Sequence, residues 1–280
     1  MAVSDRAVAS DEAEKDRPGD ASPGTEALPE VADRTVSEGE TRLTRAWSRL
    51  VATGAVGGID ISVGIFAVYA IRKASGSEAL SALGLSMGFI ALSLAGSELF
   101  TENFLVPIAA IAARRAPARS LFRLWSVSLV TNLAGGWVMT GLIIGAFPKL
   151  RPVALELADH YARQTVGWTS FAGALLGGAV ITLMTWMEHG TESVGARLVA
   201  AVVTGYLLAI GPLNHAVVVS LEMFAGLHAG APYGYLDWMR TLGWATLGNI
   251  VGGIGLVTVL RLVQIGRQVL DEQAQRPSGG

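Results

Sequence analysis

Six long apolar stretches constrain this chain more than any other feature. They run over about residues 50–71, 80–113, 121–147, 166–187, 198–227 and 239–265. Roughly 20 apolar residues suffice for a helix to cross a bilayer. The second and fifth stretches are too long and too interrupted to form one straight helix each. The expected architecture is therefore an all-α integral membrane protein of six transmembrane helices, with helices 2 and 5 broken.

Charge is distributed to match. Of the 44 Asp, Glu, Lys and Arg residues, 17 fall within residues 1–45. The rest of the chain is sparse in charge, although a soluble domain averages roughly 25% charged residues. Three regions are expected. Residues 1–45 read as a disordered acidic cytoplasmic tail through residue 41, with a short interfacial lead-in helix over 41–49. Residues 46–267 read as the six-helix transmembrane domain, and 268–280 as a short polar tail. The acidic start is no signal peptide. There are no cysteines, so disulfides and Cys-ligated metals are excluded. No basic patch is dense enough for nucleic acid. No cofactor or metal is expected.

Orientation follows from Lys and Arg in short loops. Arg42, Arg45 and Arg49 precede the first stretch. Arg114, Arg115, Arg119 and Arg123 lie between the second and third, and Arg267 and Arg276 follow the sixth. This bias places both termini in the cytoplasm, in a multi-pass cell-membrane protein. Trp125, Trp168, Trp186 and Trp238 lie near stretch ends, where an aromatic belt is expected.

The two interruptions carry most of the functional information. The first covers residues 96–103 and holds Glu98, Leu99, Phe100, Thr101 and Glu102. The second covers 211–215 and holds Pro212, Asn214 and His215. Each is the second stretch of a three-stretch half. Matching breaks of this kind point to two inverted three-helix repeats with a site at the midplane. Irregular backbone at membrane depth is tolerated where it is buried in protein or lines a cavity. His215 sits in an otherwise apolar run. An ionisable group there is costly and a functional candidate. Asp60, mid-stretch, reads either as half of a structural pair or as a pathway acid. Glu98 and Glu102 suit helix caps, and Glu222 lies near the outer end of the fifth stretch. Gly84/Gly88 and Gly248/Gly252 suit close helix packing.

Over residues 45–267 the chain resembles the formate/nitrite transporter family. The resemblance rests on Glu98-Leu99-Phe100-Thr101, Thr131-Asn132-Leu133-Ala134-Gly135-Gly136, Trp186 ending the fourth stretch, the break at His215, and Gly248-Asn249-Ile250-Val251-Gly252-Gly253. It implies an aquaporin-like fold, a homopentamer with one pore per protomer, and passage of small monovalent anions such as formate, nitrite or hydrosulfide, often proton-linked. It places His215 and Thr101 face to face in the pore. It puts Leu99 and Phe100 at an apolar constriction, with Leu208 where family members often carry phenylalanine. Three departures mark a divergent branch. Gly178 stands where formate channels carry an asparagine. An entrance lysine has no counterpart near Tyr161 and Ala162. Asn214 replaces the acidic residue that often precedes the histidine.

The expected function is transport of small weak-acid anions, proton-linked through the pore histidine. The alternatives are a conduit for a small neutral solute on the same fold, or a non-transporting membrane protein. An intramembrane enzyme is not expected, because His-Glu-x-x-His and Gly-x-Ser-x-Gly are both missing.

Overall fold

The computed structural model describes residues 28–275, and no strand occurs among them. Helix α1 spans Leu28–Thr44, α2 Trp47–Ser75 and α3 Glu78–Ala95. A short 3₁₀ turn, Phe100–Phe104, leads into α4, Val106–Ala112. Then follow α5 (Arg119–Ala146), α6 (Arg151–Ala162), α7 (Trp168–His189), α8 (Val194–Ile210) and α9 (Ala216–Ala229). The chain ends in α10 (Tyr235–Ile250), a π-helical stretch (Val251–Thr258), α11 (Val259–Ile265) and α12 (Arg267–Gln275). Five helical segments are long and apolar enough to cross a membrane: α2, α3, α5, α7 and the continuous Tyr235–Ile265. Segments Phe100–Ala112, Val194–Ile210 and Ala216–Ala229 are apolar but shorter.

Local chemistry sets the boundaries. Ser77 caps α3 by accepting from the Leu80 N–H at 3.3 Å, and Ser193 caps α8 by accepting from the Ala196 N–H at 3.4 Å. Such caps satisfy amides that the first helical turn leaves free. Gly76 and Gly96 end α2 and α3 at φ +66° and +67°, a conformation that glycine adopts without steric penalty.

Packing divides the helices into two groups of like composition. In the first, α2 lies between α3 and α5; in the second, α7 lies against α10 and the π-helical stretch, and α8 joins the two, packing chiefly on α3 and less on α7. The groups exchange their short segments. The 3₁₀ turn before α4 packs on α7 and the π-helical stretch as well as on α5, while α9 packs on α5 and α2 as well as on α6 and α10. Glycine makes the close crossings possible. Gly84 and Gly88 of α3 lie against the α2 backbone, and Gly248 and Gly252 lie against α7.

Several elements depart from the sequence reading. Residues 28–44, placed mostly in the unstructured tail, form α1. Its buried face is Val31, Ala32, Val36 and Leu43, helically spaced, and it meets Val106 and Ala109 of α4 and Leu270 of α12. Averaged over an acidic segment, so few apolar residues look inadequate; placed on one stripe they are enough to dock a helix. The lead-in helix expected over 41–49 is instead a junction, with α1 ending at Thr44 and α2 starting at Trp47. Residues 267–275 form α12 against α1 in place of a plain polar tail. Trp186 is buried under Arg261, whose guanidinium lies 5.0 Å from its ring, and Trp125 packs inward, so neither stands in an outward belt. The rest of the expected acidic tail, and Arg276, lie outside the described residues.

Candidate functional site

The interruptions between α3 and α4 and between α8 and α9 are built alike. A chain that leaves a helix inside a protein strands N–H and C=O groups, which must find partners. One buried asparagine serves each break. Asn132 of α5 donates to Glu98 O at 2.9 Å and Gly54 O at 2.7 Å, and accepts from the Phe100 N–H at 2.8 Å. Asn249 of α10 donates to Asn214 O at 2.9 Å and Ala174 O at 2.7 Å, and accepts from the Ala216 N–H at 2.8 Å. In both cases the carbonyl and amide lie two residues apart, across Leu99 and across His215. Gly58 lies against the Asn132 backbone and Gly178 against the Asn249 backbone, so closely that a β-carbon at either would overlap it. The asparagines were quoted above only as parts of the resemblance. The repeated Asn-x-x-Gly-Gly was the signal that could have assigned them a role.

Between the breaks, His215 Nε2 lies 2.7 Å from Thr101 Oγ1, and both residues are fully buried. His215 also caps α9, its Nδ1 lying 3.3 Å from the Val218 nitrogen. An N–H can donate only to an unprotonated ring nitrogen. Nδ1 is therefore the acceptor, the imidazole is neutral, and Nε2 carries the proton donated to Thr101. The threonine's own proton has no other acceptor among the described residues. The positive end of the α9 dipole begins at this point and favours negative charge there.

The remaining candidates separate. Leu99 and Leu208 belong to one buried apolar cluster with Val217, Val218 and Leu221. Phe100 turns away from that cluster and stacks edge-on against Phe104 at 5.0 Å and Trp125 at 6.0 Å. Asn214 makes no hydrogen bond to His215 and donates to Ser170 O and Gln164 Oε1, each at 2.8 Å. Asp60 accepts from Ser97 Oγ at 2.5 Å at the start of the first break. Glu102 reaches back to the Leu99 N–H at 2.6 Å as a cap. Gly178 lies at the α7–α10 contact.

Cavities open at opposite ends of α3 and α8. On the α1 side, a cavity of about 650 Å³ reaches Glu98 and Glu102 and is walled by Arg42, Arg45, Glu188 and Arg197. Arg45 Nη1 pairs with Glu98 at 2.6 Å, and Arg42 Nε lies 2.9 Å from Glu38 and 3.4 Å from Glu98. Burial works against the Arg42 charge, but Glu98, Glu38 and Glu102 more than offset it and hold its pKa above the ordinary arginine value. On the α6 side, a cavity of about 310 Å³ reaches Ala209, beside Leu208, and is lined by Val68, Arg72, Tyr161 and Glu222. Arg42 and Arg45, read from sequence as orienting charges, thus line this cavity, a placement that only the docking of α1 reveals.

Comparisons with known proteins speak for the fold and the family. The family model described as formate/nitrite transporter matches residues 29–263. Inner membrane protein YfdC of Escherichia coli (strain K12) is 29% identical over 244 residues, covering 81% of this chain and 76% of that protein. A solved FNT family ion channel superposes with a TM-score of 0.73 at 16% identity, covering 83% of this chain and 96% of that one. A pentameric formate channel with formate bound gives 0.65 at 20% identity, covering 76% and 95%. At such identities the two structures speak for the fold.

Proposed function

The chain belongs to the formate/nitrite transporter family, and we propose that it passes small monovalent weak-acid anions across a cell membrane, proton-linked at His215. The observation that carries this reading is the buried His215–Thr101 pair, set between two helix breaks and between two cavities. In this reading α3–α4 and α8–α9 are the broken second and fifth of six crossings, and the two halves are inverted repeats. Both termini and the α1-side cavity face the cytoplasm, and five protomers assemble with one pore each. The protein is a transporter and not an enzyme.

The chemistry follows from the pair. An anion leaving either cavity meets the apolar cluster of Leu99 and Leu208, where an unpaired charge is costly. Phe100 supports this wall from behind, through Phe104 and Trp125. At the pair, the threonine hydroxyl, held and polarised by the Nε2–H of His215, is a ready donor for one anionic oxygen, backed by the α9 N-terminus. Neutralisation by a proton removes the charge that opposes passage. Donors placed before the solute arrives need no reorganisation.

A specific observation favours a second reading. The α6-side cavity carries the carboxylates of Glu78, Glu156 and Glu222 against one arginine, Arg72, a lining that suits a small neutral hydrogen-bond donor. Uptake of labelled formate, nitrite, acetate and hydrosulfide into proteoliposomes, with urea as the neutral control, separates the two. Anion uptake that rises at acidic pH is expected. Urea flux indifferent to pH and membrane potential, with no anion uptake, would contradict the anion reading.

A further inference from the structure

The α6-side cavity holds a carboxylate that this account leaves unused. Glu222 is 7% exposed and lines the cavity. It stands seven residues beyond His215 on α9, two turns along the same helix face and about 10 Å further on. The groups facing it come from every neighbouring element. Tyr161 of α6 lines the cavity beside the carboxylate; burial first, then the charge of Glu222, hold the Tyr161 hydroxyl well above the usual tyrosine range. It therefore stays a protonated donor. Tyr69 of α2 is fully buried, and its hydroxyl has no hydrogen-bond partner among the described residues. Tyr233, after α9, is committed to Met223 O at 2.7 Å. His160 and Glu156 of α6, Arg72 of α2 and Glu78 of α3 line the same cavity. Arg72 is already engaged by Glu156 at 2.9 Å and Glu78 at 3.2 Å, so Glu222 has no cation of its own among the described residues.

A desolvated carboxylate without a cation is costly in its charged form, yet this one remains open to the cavity. We propose that Glu222 is a proton-loading site for the solute, ahead of the constriction. Its carboxyl O–H bond breaks as a new bond to hydrogen forms on the anion, leaving a Glu222 carboxylate and a neutral weak acid. Hydronium in the cavity water returns the proton to Glu222. The neutral acid then passes Leu208 and Leu99, hydrogen-bonded at His215 and Thr101, and gives its proton to water on the α1 side. One proton accompanies each anion. The inference rests on the anion reading: Glu222 is the source of the proton, and His215 and Thr101 are where the protonated solute is held.

The test is Glu222→Gln, which keeps the shape and polarity of the side chain but has no carboxyl proton to give. Formate uptake into proteoliposomes is expected to fall about tenfold at neutral pH, with a flattened pH profile and unchanged pentamer elution. Tyr161→Phe removes a cavity hydroxyl whose dipole favours the charged carboxylate, so its pH midpoint is expected to move up. A Glu222→Gln profile matching the unmodified protein would overturn the proposal, because a purely structural glutamate tolerates that change. Infrared difference spectra give a readout independent of transport. A protonated-carboxyl band at neutral pH, lost in Glu222→Gln, is expected, and its absence from the unmodified protein would also overturn the proposal. If the unmodified protein takes up no anion, the anion reading fails, while the infrared band still decides whether Glu222 holds a proton.

Discussion

At the scale of residues, two asparagines place everything else. Asn249 spends its amide on Ala174 O and Asn214 O and its oxygen on the Ala216 N–H, and so fixes the backbone on both sides of His215. A buried polar group left unpaired costs roughly 1–3 kcal/mol, and Asn249→Leu strands two, the Asn214 carbonyl and the Ala216 N–H. A marked fall in the thermal unfolding midpoint of the detergent-purified protein is expected, with loss of uptake. A midpoint as high as that of the unmodified protein would show that water or another side chain replaces the amide. His215 and Thr101 were legible in the sequence, the first as an ionisable residue in an apolar run and the second through the family resemblance. The tautomer of His215 was not, because it depends on the Val218 N–H, which points at the ring only once α9 has started there. The inward turn of Phe100 was equally hidden, since it depends on Trp125 of another helix.

At the scale of elements, the ends of α3 and α8 were readable from Gly96, Gly211 and Pro212, residues that helices avoid. Helix α1 was not readable from composition. Its apolar stripe is narrow, and the surface that accepts it, Val106 and Ala109 of α4, lies some 70 residues away. Close helix crossings give the sharpest element-level prediction. Formate channels in the family resemblance carry an asparagine at the position of Gly178, yet here a β-carbon would overlap the Asn249 backbone. Gly178→Asn is therefore expected to push α7 from α10 and reduce the yield of folded protein, not to improve formate transport. Size-exclusion profiles after detergent extraction check this, and a well-folded variant with faster formate uptake would show that α7 and α10 can separate without harm.

For the whole molecule, the outward faces are apolar. Phe122, Leu142, Leu260 and Val263 are all well exposed, more large apolar surface than a water-soluble monomer presents. Lipid and neighbouring protomers are the covering that the proposed pentamer provides. Low charge density across the body made this legible at once. The exchange of the short segments between the two helix groups was not legible, because it is a property of packing and not of any one stretch. That exchange brings Thr101 of the first group to His215 of the second, and the account stands on that meeting. The most direct measurement is formate and nitrite uptake by proteoliposomes containing His215→Ala, compared with the unmodified protein at equal pentamer content. At least roughly a tenfold fall is expected, since a charge-assisted hydrogen bond is worth about 1.5–3 kcal/mol. Undiminished uptake through a properly assembled His215→Ala pentamer would contradict the account.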